Sequence, residues 1–303
     1  MELGMIGLGR MGANMTERLI QGGHRVVVHD IDPAAVARVS ALGASGAASI
    51  EALVRQLAPP RAIWMMVPAG DVVEQTLNAV AAFMQKGDVI IDGGNSNYKD
   101  SMRRAAVHSS KGLHLVDSGT SGGIWGLREG YCLMIGGDKT AVERLRPIFQ
   151  SLAPAADRGW AHVGPAGAGH FVKMIHNGIE YGLMQAYAEG FAILHKKKEF
   201  DLDIAQISEI WRYGSVVRSW LLDLTAEALA EDSKLDGIRP VVADSGEGRW
   251  TVAEAIDQGV SAPIITMSLM ERFRSRDEES FADRLLAVMR NKFGGHEVKT
   301  THK

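Results

Sequence analysis

Leu3-Gly4-Met5-Ile6-Gly7-Leu8-Gly9-Arg10-Met11-Gly12 is the stretch that decides the fold. Residues 3–6 are short and mostly apolar, as a buried strand requires, and 11–21 read as an amphipathic helix. Gly7, Gly9 and Gly12 fit GxGxxG. In that pattern the first glycine permits a tight turn, the second lets the backbone approach a pyrophosphate, and the third lets helix and strand pack closely. Among 34 glycines the pattern alone is weak. A strand before it and a helix after it turn it into a dinucleotide-binding loop, with helix N-terminal amides facing the phosphates. The bland alternative is a plain tight turn.

Outward from that loop, short Val-, Ile- and Met-rich runs alternate with helix-length segments. Strands are expected at 25–30, 62–67, 88–92, 114–117, 131–135 and 160–163, with helices at 33–42, 49–57, 72–84, 98–111 and 141–152. This rhythm predicts a doubly wound, Rossmann-type α/β sheet. Asp30 closes the second strand, eighteen residues after Gly12. An acid there accepts hydrogen bonds from the adenosine ribose of NAD and repels the 2′-phosphate of NADP. No arginine stands at Ile31, Asp32 or Pro33, so NAD is the expected cofactor.

After Gly164-Pro165 the period-two signal stops. Helices are expected at 167–197, 204–213, 217–230, 250–258, 263–273 and 279–293. The chain of 303 residues should therefore hold two domains, a dinucleotide-binding one over 1–164 and an all-α one over 165–303 for substrate binding and oligomerisation. At 46% hydrophobic and 23% charged it is no disordered chain, and a net charge of −3 gives no pull towards nucleic acid or anionic membrane. The single cysteine, Cys132, fits a reducing compartment. No secretory start and no apolar run of about 20 residues is present, so a cytoplasmic protein is expected. No metal-ligand cluster stands out.

Lys173, Asn177 and Glu180 are spaced four and seven apart on the long helix, so they share one face, with His176 beside them. A solvated face carrying a Lys–Glu pair is the alternative. Further segments match no generic fold but a family. Met66-Val67-Pro68-Ala69-Gly70, Asp92-Gly93-Gly94-Asn95-Ser96 and Ser118-Gly119-Thr120-Ser121-Gly122-Gly123 are three of them. His170-Phe171-Val172-Lys173-Met174-Ile175-His176-Asn177-Gly178-Ile179-Glu180-Tyr181 is the most specific, and Gly248-Arg249-Trp250-Thr251 and Arg290-Asn291-Lys292-Phe293-Gly294-Gly295-His296 follow. Through most of its length the chain resembles the decarboxylating 6-phosphogluconate dehydrogenases, in their short, NAD-linked form. It departs from the common pattern with Pro68 and Arg249 where lysine is usual, and it lacks the second helical half of the long forms.

The resemblance implies oxidative decarboxylation of 6-phosphogluconate to ribulose 5-phosphate and carbon dioxide, with reduction of NAD, in the pentose phosphate pathway and gluconate utilization. It implies Lys173 as general base and Glu180 as the acid that protonates the enediol. Cofactor contacts would come from Gly7, Leu8, Gly9, Arg10, Met11, Gly12, Asp30, Val67, Pro68, Ala69 and Asn95. Substrate contacts would come from Asn95, Ser121, Gly122, Gly123, His176 and Asn177. Tyr181, Arg249, Thr251, Arg272, Arg290 and His296 complete them, with Arg274 and Arg276 close enough to Arg272 to compete for its place. Homo-oligomers, dimer or tetramer, with active sites shared between subunits are also implied. A β-hydroxyacid dehydrogenase of the 3-hydroxyisobutyrate type and a non-catalytic nucleotide sensor are the rivals. The first needs no phosphate cluster and the second no Lys173.

Overall fold

The computed structural model describes residues 1–294 and 297–299, so the expectation for His296 lies outside the described residues. The chain divides into two compact units, Met1–Asn177 and Gly178–Lys303.

The first unit is built on one sheet. Its strands are β1 (Glu2–Ile6), β2 (Arg25–His29), β3 (Ser45–Gly46), β4 (Ala62–Met65), β5 (Val89–Asp92), β6 (His114–Ser121), β7 (Cys132–Gly137) and β8 (Trp160–Gly164). They lie in the order β3-β2-β1-β4-β5-β6-β7-β8, and only the β6–β7 pair is antiparallel. The helices between them are α1 (Arg10–Gln21), α2 (Pro33–Ser40), α3 (Ile50–Arg55), α4 (Asp71–Ala81), α5 (Tyr98–Ser109), α6 (Gly126–Glu129), α7 (Lys139–Arg144) and α8 (Arg146–Leu152). Alternate strand residues feed two cores. Met5, Val28, Trp64 and Ile91 pack with Leu19 and Phe149 on one face; Val27, Ile63, Met65 and Ile90 pack with Leu53 and Leu77 on the other. The order of connection reverses between β1 and β4. That leaves a crevice beyond their C-terminal ends, the usual ligand position of such sheets.

Three local differences from the sequence reading have physical causes. The helix expected over 141–152 is two helices, because Pro147 cannot continue the first one and sits in the first turn of the second. β3 has two residues, too few to show a period. The strand expected to stop at 117 runs on to Ser121, because the glycine-rich segment pairs with β7 from Val116↔Gly137 to Ser121↔Cys132.

Helix α9 (Ala168–Lys196) is continuous through the division between the units. The second unit adds α10 (Ile204–Trp211), α11 (Trp220–Glu231), α12 (Glu247–Asp257), α13 (Pro263–Arg274) and α14 (Phe281–Gly294). Ser219 sets the start of α11, its hydroxyl accepting from the Leu222 amide, so this helix begins later than its apolar pattern suggests. Phe191, Ile204, Leu222 and Leu229 form a small core here. Among the described residues no helix is long and apolar enough to cross a membrane.

Candidate active site

The glycine loop has the geometry a dinucleotide needs. Gly7 has φ +90°, and a Cβ there would collide with the Met66 carbonyl. A Cβ on Gly12 would run into the Gly7 carbonyl and stand 3.3 Å from Met66 Cβ, which is the close packing the third glycine permits. A Cβ on Gly9 would meet nothing within 4 Å, so the middle of the loop faces open space at the N-cap of α1. Asp30 holds this loop: its Oδ2 accepts from the Leu8 amide at 2.5 Å and its Oδ1 from the Asp32 amide at 2.8 Å. A carboxylate has lone pairs left over for ribose hydroxyls. Arg10 is exposed and Met11 half-buried beside it.

The loops that follow β4 and β5 are tied to each other. Gly94 donates to Asp92 Oδ1 at 3.1 Å, and a Cβ on Gly94 would stand 2.9 Å from the Val67 carbonyl oxygen. Arg104, whose side chain is 2% exposed, lies beneath both loops. It donates to Glu74 Oε2 at 2.9 Å, to the Gly70 carbonyl at 3.2 Å and to Ser96 Oγ at 3.5 Å, with Asp92 Oδ2 at 3.7 Å. Pro68, Ala69 and Asn95 are thereby presented, exposed, on braced loops. Arg103 and Arg104 together hold the Glu74 carboxyl down at about 2. Nothing in the pattern of Arg104 among polar helix residues foretold its burial.

Helix α9 is seated on the sheet through glycine. A Cβ on Gly169 would stand 2.5 Å from the Asp117 carbonyl oxygen, and one on Gly119 would stand 2.7 Å from the Gly169 carbonyl oxygen and 3.1 Å from Lys173 Cγ. The backbone of β6 thus lies directly against the turn bearing Lys173. The buried Asp117 caps this start, Oδ1 accepting from Gly167 N at 2.6 Å and Oδ2 from His170 N at 2.8 Å. The signal for this cap in the sequence is the acid at the end of the apolar run 114–117.

Lys173 and Asn177 are each 7% exposed. Lys173 Nζ donates to Asn177 Oδ1 at 2.5 Å, and His176 Nδ1 lies 3.0 Å from the same oxygen. An amide oxygen only accepts, so a hydrogen bond to it requires the His176 tautomer with its proton on Nδ1. In the neutral ring Nε2 is then an acceptor, 3.4 Å from Ser121 Oγ. Ser121, His176, Asn177 and Lys173 form one polar chain at the end of β6, where Gly122 and Gly123 both have positive φ. Glu180 follows Lys173 by two turns of the same helix and is half-buried.

In the second unit Arg272 and the start of α12 lie against Tyr181, which is buried. Its hydroxyl accepts from the Ser245 amide at 3.1 Å, and a Cβ on Gly248 would stand 2.5 Å from its ring. Arg272 stacks on that ring, 3.5 Å from the centroid, and donates to the Ala243 carbonyl at 2.8 Å. Thr251 is buried on α12, its hydroxyl donating to the Glu247 carbonyl at 2.9 Å. Arg249 donates to Asp244 through Nε at 2.6 Å and Nη2 at 3.2 Å. Arg276 pairs with the same carboxylate at 2.8 Å. Arg249, with help from Arg276, holds the Asp244 carboxyl down at about 2. Arg290 is exposed on α14 and is not brought into this cluster.

The family was identified by comparison with known proteins. Residues 2–164 match the NAD binding domain of 6-phosphogluconate dehydrogenase, and residues 169–303 match the C-terminal domain of 6-phosphogluconate dehydrogenase. A Haloferax volcanii protein named as an NAD(+)-dependent, decarboxylating 6-phosphogluconate dehydrogenase is 46% identical over 98% of both chains. A Bacillus subtilis enzyme of the same name is 37% identical over 94% of this chain, which spans 64% of that longer protein. The solved Plasmodium falciparum 6-phosphogluconate dehydrogenase, studied with NADP+ and with 6-phosphogluconate, superposes with a TM-score of 0.84 at 27% identity, covering 100% of this chain and 67% of that one. A Mycobacterium tuberculosis 3-hydroxyisobutyrate dehydrogenase shares the fold alone, with a TM-score of 0.73 at 22% identity over 91% of this chain and 94% of that one. With an NAD binding domain at one end and the matching C-terminal domain at the other, the chain belongs to the 6-phosphogluconate dehydrogenase family.

Proposed function

We propose that this protein oxidises 6-phosphogluconate with NAD and releases carbon dioxide and ribulose 5-phosphate. The observation that carries the reading is the chain Ser121–His176–Asn177–Lys173 at the glycine-lined seat of α9, half-buried at Ser121 and His176 and buried at Asn177 and Lys173. Residues 1–164 would bind the dinucleotide and 165–303 the substrate. Gly7 to Gly12, Asp30, Val67, Pro68, Ala69 and Asn95 would hold NAD, whose open middle glycine and braced loops fit it. NAD, when bound, accepts the hydride.

Lys173 in its neutral form takes the proton of the carbon-3 hydroxyl while the hydride leaves carbon 3 for the nicotinamide, so that a ketone β to the carboxylate results. As the ammonium it then donates to that ketone oxygen, which receives the electron pair left when the carbon–carbon bond to the carboxylate breaks. Glu180 delivers a proton to carbon 1 of the resulting enediol. Asn95, Ser121, Gly122, Gly123, His176 and Asn177 position the sugar acid. Tyr181, Arg249, Thr251, Arg272 and Arg290 provide for the phosphate, with charge-assisted hydrogen bonds from the arginines.

The working form is a homo-oligomer in which a second copy contributes Arg290 and His296 to the site. Supporting this, α14 leaves Phe281, Leu285, Leu286, Val288 and Met289 exposed, more apolar surface than a helix of a lone subunit normally presents to water. Formation of both NADH and carbon dioxide from 6-phosphogluconate tests the activity, with NADP run in parallel. NADH without carbon dioxide would reject decarboxylation, and neither product would reject the enzyme.

A further inference from the structure

We propose that Arg276 is a second guanidinium ligand for the anionic end of the substrate, set beside Arg249 by their shared carboxylate, Asp244. The proposal deepens the reading given under Proposed function and rests on it. Asp244 has a side chain only 5% exposed, yet it receives two arginines. Arg249 reaches it from α12, and Arg276 from just past the end of α13. Both guanidinium groups also lie over the Phe273 ring, 4.4 Å and 5.3 Å from its centroid. A buried anion and an aromatic face thus fix two cations that would otherwise repel each other and swing into solvent.

The charges sum to one positive unit, and the spare donors point to the same business. Each guanidinium has five N–H groups. Asp244 takes two nitrogens of Arg249 and one of Arg276, and the two side chains stay 54% and 33% exposed. Donors therefore remain for a tetrahedral oxyanion, and paired guanidinium forks suit a phosphate better than lysine does. Arg272 is differently placed, flat on the Tyr181 ring, with Nη1 committed to the Ala243 carbonyl and Nη2 lying 3.7 Å from Met184 Sδ. It keeps Tyr181 in position and adds its charge, while Arg276 offers the open donors.

The test is steady-state kinetics of Arg276→Ala and Arg276→Lys, with inorganic phosphate as an inhibitor competing with 6-phosphogluconate. Loss of one charged hydrogen-bonding partner should raise KM for 6-phosphogluconate and the inhibition constant of phosphate together, each by roughly tenfold or more. The KM for NAD and kcat should stay put, and the lysine variant should fall between. Unchanged KM and phosphate inhibition overturn the proposal. So does a loss spread equally over kcat and both KM values, which marks a structural role. Failure of the underlying reading looks different: wild type itself then makes no NADH from 6-phosphogluconate. In that case calorimetric binding of inorganic phosphate to wild type and to Arg276→Ala still judges the site, and equal binding refutes it.

Discussion

Gly119→Ala is the sharpest probe of how Lys173 is set. The new methyl would stand 2.7 Å from the Gly169 carbonyl oxygen and 3.1 Å from Lys173 Cγ, nearer still to Lys173 Cβ. Carbon atoms rest about 3.5–4.0 Å apart, so the turn carrying Lys173 must withdraw by roughly 1 Å. Overpacking of this kind costs about 1–3 kcal/mol, which a protein of this size survives. Displacement of a catalytic group by about 1 Å costs on the order of 10²-fold in rate. Turnover of 6-phosphogluconate, followed by NADH absorbance, should therefore fall by about two orders of magnitude. NAD affinity should be kept, because the glycine loop hangs from β1 and not from β6. Urea unfolding should show a small loss, separating displacement from collapse. Wild-type turnover in a folded Gly119→Ala protein would refute the idea that this glycine seats the lysine.

Three further outcomes are expected. Lys173→Met should abolish NADH formation while leaving NAD binding intact, and residual wild-type turnover would remove Lys173 from its role. Asp30→Asn combined with Ile31→Arg keeps an acceptor for the Leu8 amide and should raise kcat/KM for NADP relative to NAD; a wild type that already favours NADP would contradict the reading of Asp30. Glu74 titrates at about 2 when folded against an ordinary 4.5, so its stabilising effect is present above that ordinary value and lost as pH falls from about 4.5 to about 2. Its side chain is a third exposed, which trims the size of the effect, but the stability gap between wild type and Glu74→Gln should close over that acid range in urea titrations.

The sheet was legible because parallel strands buried on both faces read as apolar runs, and the loop after β1 carries its own geometric signature. The same held for α9, long and periodic. What stayed hidden depends on partners distant in sequence. Arg104 on a polar helix looks like any surface arginine, yet it braces two loops, because Gly70 and Asp92 arrive from other strands. Arg249 could be picked out, but the carboxylate it shares with Arg276 could not, since only the fold of the 241–248 segment and the end of α13 brings them together. The strand expected at 114–117 extends through Ser121 because Gly119, a poor strand former that hides the continuation in the sequence, is carried by pairing with β7.

Asp117 makes the start of α9 answer to the sheet. The amides of Gly167 and His170 find their acceptor on a strand fifty and more residues upstream, not within their own turn. The cap on the opening of α9 therefore comes from β6, although Phe171 N still finds the Gly167 carbonyl in its own turn. In hydrogen exchange the two amides should share the slow opening of the sheet, while the distal turns of the same helix follow the second unit. Lys173, one turn further on, is held to the same strand, packed against Gly119 of β6. Any shift of β6 is therefore passed directly to the turn that carries Lys173.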